Sequence, residues 1–119
     1  MKVSVLKTLA VALLATAVLS GCKTTEPLYY YGDYQQTVYT HFKGDESNAA
    51  EQMDILEEVI QTAAANGKAI APGVHAHLGM LYFETGNPGQ GTAHFEQEKA
   101  LFPESTAYLD FLIKSGEGE

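Results

Sequence analysis

The stretch His75–Tyr82, His-Ala-His-Leu-Gly-Met-Leu-Tyr, decides the fold of this chain together with three residues that follow it, Gly91, Phe95 and Pro103. Residues three or four apart lie on the same face of a helix. Gly79 and Gly91 stand where two antiparallel helices would approach closely, because glycine has no side chain to separate them. Larger side chains would fill the space around the two glycines. Pro103 would then begin the next helix.

The intervals in this stretch are those of a tetratricopeptide repeat, which is a pair of helices joined by a turn. The usual residues of that repeat are Trp, Leu, Gly, Tyr, Ala, Phe and Pro, and five of the seven are in place. His75 stands for the Trp, and Glu98 occupies a position where the repeat has a small residue. The residues that fit the repeat core are Leu78, Gly79, Tyr82, Gly91, Phe95 and Pro103.

Helical spacing of apolar residues extends on both sides of this unit, and no segment alternates like a strand. The sequence therefore predicts an all-α fold of about five helices: two tetratricopeptide-like hairpins and a terminal capping helix. Stop signals and caps place the helices at Asp33–Phe42, Ser47–Asn66, Pro72 to a stop at Gly86, about Gln90 to Leu101, and Ser105–Lys114.

The start of the chain has the pattern of a bacterial lipoprotein signal peptide over residues 1–21. Lys2 and Lys7 precede an apolar run, and Leu19–Cys22 reads Leu-Ser-Gly-Cys, a lipobox. We expect cleavage before Cys22 and covalent attachment of lipid, a diacylglycerol on its sulfur and an acyl chain on its amine. A free or structural Cys22 behind an ordinary signal peptide is the alternative. No other cysteine is present to form a disulfide.

The residue after Cys22 is Lys23, whereas retention in the inner membrane usually involves Asp there. We therefore expect an outer-membrane protein whose domain faces the periplasm. Residues 22–32 are predicted as the acylated cysteine and a tyrosine-rich tether, and residues 33–119 as the helical domain. Residues 23–28 reach only about 20 Å when extended, so the domain should work close to the membrane.

Charge and motifs exclude several kinds of function. All fifteen acidic residues follow Cys22, with only five lysines and no arginine, which argues against binding to nucleic acid or to anionic lipid surfaces. His75 and His77 point about 200° apart on a helix and cannot hold one metal ion together. We expect His77 to be a packing residue. The sequence predicts no enzyme, no metal and no cofactor other than the lipid on Cys22.

A tyrosine cluster lies beside the tether. Tyrosine combines contact area with a hydrogen-bonding tip and is enriched at interfaces. The cluster is a candidate partner-binding site, and the alternative is that its rings cover the edge of the small core. Its members are Tyr29, Tyr30, Tyr31 and Tyr34.

Over its whole length the chain resembles a family of short proteobacterial lipoproteins known as domain of unknown function 4810. The resemblance is carried by the lipobox, by Tyr-Gly-x-Tyr at residues 31–34, by His-Phe-Lys-Gly-Asp at residues 41–45, and by Leu78-Gly79-x-x-Tyr82. It implies a context with a CsgG-like pore-type lipoprotein and another small lipoprotein. It defines no functional residues.

Three functions are open at this point. The first is a membrane-anchored interaction or accessory module of an envelope assembly, and the second is a structural lipoprotein without a dedicated partner. The third is a periplasmic ligand binder or enzyme with a pocket lined by Tyr82, His77 and Glu98.

Overall fold

The computed structural model describes residues 1–19, 25–44 and 48–116, with only the backbone described for residues 14–19. The predicted all-α class is confirmed, since helices dominate the described part of the chain. The elements are α1 Lys2–Leu19, β1 Tyr29–Tyr30, α2 Tyr34–Lys43, α3 Ala49–Ala65, β2 Ala69–Ile70, α4 Val74–Glu84, α5 Pro88–Leu101, a 3₁₀ turn Pro103–Ser105, and α6 Thr106–Gly116.

The helix α1 lies within residues 1–21, the segment predicted as a leader, and the leader stays a prediction. Among the described residues, none of the helices combines the length and the apolar character needed to cross a bilayer. Cys22, on which the lipoprotein prediction depends, lies outside the described residues.

Three predicted helix starts lie two residues from those of the structure. Ser47, where the second helix is predicted to begin, lies outside the described residues, and α3 begins at Ala49 with Asn48 as its cap. Pro72 was expected in the first turn of the third helix, but α4 begins at Val74, after Gly73 turns the chain with φ 95°. A left-handed residue cannot continue a helix, so it separates Pro72 from α4. The fourth helix begins at Pro88 rather than near Gln90, because proline fits the first helical turn.

The core lies where α3 and α4 meet, beside the linker that joins them. The buried residues that cluster there are Leu56 and Val59 from α3, Val74, Leu78 and Leu81 from α4, and Ala71 from the linker. Along α3 the sequence predicts an apolar stripe at steps of three and four residues, formed by Ala49, Met53, Leu56, Ile60 and Ala63. Leu56 and Ala63 are buried, whereas the other three are partly buried and the remaining buried positions of the helix are Gln52 and Val59.

The hairpin of α4 and α5 has the close approach that the glycine spacing predicts. A Cβ added to Gly79 would lie 2.5 Å from Cδ1 of Phe95, and one added to Gly91 would lie 2.5 Å from Cδ2 of Phe83. Phe95 is buried at 2% exposure, and its ring packs against that of Phe83. The tetratricopeptide-like character of the whole domain stays a prediction.

A short parallel pairing ties the segment before α2 to the linker before α4. Tyr29 pairs with Ala69 and Tyr30 with Ile70. The sequence predicted no strand, because two residues are too few to show alternation. The last part of the segment predicted as a tether therefore contributes backbone hydrogen bonds to the domain.

Candidate functional site

A groove of about 220 Å³ opens between α2, α4 and α6. Its walls are apolar side chains from α2 and α6, and α4 forms its floor. Phe42 is 77% exposed and Tyr108 is 65% exposed. We call this surface the α2–α6 groove; its lining residues are Tyr34, Val38, Phe42, Gly73, Ala76, His77, Met80, Tyr108, Leu109 and Leu112.

His77 is the polar group in the floor of the α2–α6 groove. Its Nε2 lies 3.3 Å from Oε1 of Gln52, and its ring contacts the ring of His41 edge to face, with centroids 4.9 Å apart. Burial, and then the neighbouring His41, lower the pKa of His77 to about 4. The side chain is therefore neutral at pH 7, and it packs between helices as the sequence predicted.

A second group of polar rings lies on another side of α4. Nδ1 of His75 is 3.0 Å from Nδ1 of His94, and the two rings are stacked. The ring of Tyr82 stacks on His94 at 5.4 Å, and its hydroxyl donates a 2.6 Å hydrogen bond to Oε1 of Glu57. Burial, and then His94, lower the pKa of His75 to about 4. One Nδ1 must donate and the other accept, so the pair holds together when at least one ring is neutral.

His75 and His77 have separate partners, as the helical spacing requires. Among the described residues no group of three or more histidine, cysteine or acidic side chains is arranged to hold a metal ion.

The structure gives a reason for Glu98, the residue that stands where the repeat usually has a small side chain. It is 3% exposed, and its Oε1 accepts a 2.6 Å hydrogen bond from the N–H of Gly73 while Oε2 accepts one of 3.2 Å from the N–H of Ala76. Gly73 has no side chain with which to cap α4, so a carboxylate from α5 does so. Burial raises the pKa of Glu98, and the backbone hydrogen bonds partly oppose that rise.

The third hypothesis placed Tyr82, His77 and Glu98 around one ligand pocket, and in the structure their polar atoms bind to different neighbours. Tyr82 contacts His94 and Glu57, whereas His77 faces α2 and α3. Glu98 lies at the start of α4, and both of its oxygens accept backbone hydrogen bonds.

The four tyrosines of the cluster are placed unequally. Tyr29, Tyr30 and Tyr34 are partly buried and pack against the core, and the Tyr29 ring meets that of Phe102 edge to face. Tyr31 is 36% exposed. The interface role assigned to the cluster stays a prediction, for which Tyr31 is the accessible member.

Helical spacing can place Val38 and Phe42 on one face of α2, but the sequence alone did not bring them together with Tyr108 around one groove.

Comparison with protein families matches residues 28–112 to the family described as Domain of unknown function (DUF4810). The match covers the helical domain from just before β1 into α6, and the chain belongs to this family. The comparisons with curated proteins and with solved structures found no match.

Proposed function

We propose that this protein is an outer-membrane lipoprotein, acylated at Cys22, whose periplasmic helical domain binds an apolar segment of another envelope protein in the α2–α6 groove. The observation that supports this most is the exposure of two aromatic side chains, Phe42 and Tyr108, at a groove with apolar walls. Exposed apolar patches mark interaction sites, and aromatic residues contribute strongly to binding where they fill pockets.

The chemistry of the groove specifies its partner. His77 is neutral at pH 7, and the other lining residues carry no charge. An apolar helix or extended segment fits such a surface, as amphipathic helices do in other hydrophobic grooves. The domain outside the groove is acidic, so basic residues that flank the apolar segment would favour association.

The proposed lipid on Cys22 would hold the domain at the membrane surface. Several acyl chains hold a protein at a membrane far more firmly than one chain. A partner already at the same membrane would meet the groove at high local concentration. A CsgG-like lipoprotein is the partner implied by the family resemblance.

The test is cross-linking in intact cells, detergent extraction and mass spectrometry of what co-purifies. We expect Phe42→Ala with Tyr108→Ala to reduce recovery of the partner at least tenfold. The matched control is Tyr39→Ala with Phe111→Ala, which removes two aromatic residues that are 58% and 64% exposed on the same helices but do not line the groove.

Equal recovery from the two double variants and the unaltered protein would contradict binding in the groove. Recovery of the protein alone in every case would favour a structural lipoprotein without a dedicated partner. Cys22→Ala serves as the unanchored control.

A further inference from the structure

A second apolar surface lies beside the end of the tether and shares no lining residue with the α2–α6 groove. It is a shallow pocket of about 420 Å³ formed where the ends of α3 and α5 meet β1 and β2. Leu101 on this surface is 51% exposed, and Leu28, directly before β1, is 76% exposed. We call it the tether face, lined by Tyr29, Ala64, Lys68, Ile70, Leu101 and Phe102.

The tether is held against this face at two points. Tyr29–Tyr30 pairs with Ala69–Ile70, and Oε2 of Glu26 lies 3.2 Å from Nζ of Lys68. The exposed ion pair between Glu26 and Lys68 contributes little energy. It shows that the residues just before β1 run along this face.

The length of the tether then limits where the face can lie. From Cys22 to Tyr29 there are seven residue steps, which span at most about 24 Å. The inference rests on the proposed acylation of Cys22. With the acyl chains in the bilayer, the tether face is held within that distance of the headgroups, because it is where the anchored chain enters the domain.

The side chains of the face suit a lipid interface through apolar contact, which does not require the attraction to anionic lipid that the acidic charge of the chain opposes. Tyrosine rings are enriched at headgroup level, and a lysine can keep its stem in apolar surroundings while its amine stays in water. Exposed leucines can enter the boundary between headgroups and acyl chains, which accepts apolar side chains to a depth of about 5–10 Å.

We propose that the tether face lies on the phospholipid surface of the membrane that holds the anchor, with Leu28 and Leu101 inserted among the lipids. The occupant of this pocket is therefore lipid, whereas the α2–α6 groove is left for protein. Docking would fix the orientation of the domain as well as its distance from the membrane.

The chain contains no tryptophan, so one introduced residue reports on a single position. We would purify the full acylated protein carrying Leu101→Trp and reconstitute it in vesicles of zwitterionic phosphatidylcholine, with and without brominated lipid, because the acidic chain disfavours an anionic lipid surface. The matched control is Phe42→Trp, at an exposed position in the groove. Leu28→Trp is a second reporter at a position that folding leaves exposed.

We expect brominated lipid to quench Leu101→Trp and Leu28→Trp at least twofold and to leave Phe42→Trp nearly unchanged. Equal quenching at all three positions, or none at the two leucine positions, would overturn the proposed orientation. Flotation of the vesicles separates this result from failure of the anchor. A protein that floats without quenching refutes only the docking of the tether face, whereas one that does not float refutes acylation and docking together.

Discussion

Gly79 and Gly91 face each other across the α4–α5 hairpin so closely that a Cβ on either residue would lie 2.9 Å from the carbonyl oxygen of the other. Real Cβ atoms essentially never approach within 3.0 Å of their neighbours. The aromatic rings of Phe83 and Phe95 lie over the same two positions. Any side chain at either glycine would therefore force the two helices apart.

Gly79→Ala should lower the free energy of unfolding by about 2–3 kcal/mol, in the upper part of the usual range for overpacked cores. The loss should exceed the gain of about 1 kcal/mol that alanine brings to a helix. Gly89→Ala is the matched control, because nothing lies within 4 Å of a Cβ at that position. Urea denaturation measures both variants, and equal stability of the two would contradict the close approach.

Glu98→Ala should destabilise the fold by about 1–3 kcal/mol, because it leaves the N–H groups of Gly73 and Ala76 without their acceptor. Glu98→Gln should cost less, since its amide oxygen can still accept. Gln97→Ala, at an exposed position of the same helix, should change little. Chemical denaturation measures the free energy of unfolding of the three variants. An unchanged free energy of unfolding for Glu98→Ala would exclude the capping role.

Acidification should weaken the fold through its buried histidines. The pKa values of His75 and His77 fall to about 4 in the folded state, mainly through burial, against 6.5 for a free side chain. The unfolded chain therefore binds more protons between these values, and stability is lost as the pH falls from about 6.5 towards 4. Glu98 has the opposite effect on stability, because its pKa is raised in the folded state. At pH values just above the ordinary pKa of a glutamate, the folded protein binds more protons at this site than the unfolded chain, so stability rises there as the pH falls.

The variant His77→Phe separates the loss of stability caused by protonation of His77 from the loss caused by protonation of carboxylates. The variant should lose less stability than the unaltered protein when unfolding is measured at pH 6.5 and again at pH 4.5. The same loss in both proteins would show that His77 titrates normally.

Alanine variants of two neighbouring tyrosines, Tyr30 and Tyr31, should distinguish a role in core packing from a role in partner binding. Tyr30 packs on the core and lies beside Gly32, so Tyr30→Ala should cost about 1–3 kcal/mol of stability through lost burial. Tyr31→Ala should change stability by less than about 0.5 kcal/mol, as is usual for surface positions. If Tyr31 contacts a partner, its variant should weaken co-purification at unchanged helicity, and intact co-purification would remove it from the interface.

The sequence predicted the α4–α5 hairpin well because the signals that define it are local. Gly79, Gly91 and Phe95 stand at fixed intervals within one supersecondary unit. The role of Glu98 could not be predicted in this way, since its partner Gly73 is 25 residues away and contributes only a backbone N–H.

The groove was harder to predict than the hairpin, because its walls come from helices far apart in the sequence. Periodicity can place Phe42 on the apolar face of α2, but it does not show whether another helix covers that face, and Phe42 is 77% exposed in the structure. The pairing of Tyr29 with Ala69 likewise joins two distant segments, and the local sequence of neither segment predicts the other as its partner.

That pairing also determines how mechanical force would enter the domain. A pull on the chain before Glu26 would first load the ion pair to Lys68 and then the backbone hydrogen bonds between β1 and β2. Both contacts lie before the helix α2 in the chain. In the proposed membrane-anchored protein, the short strand would therefore be the part of the domain that bears tension from the membrane first.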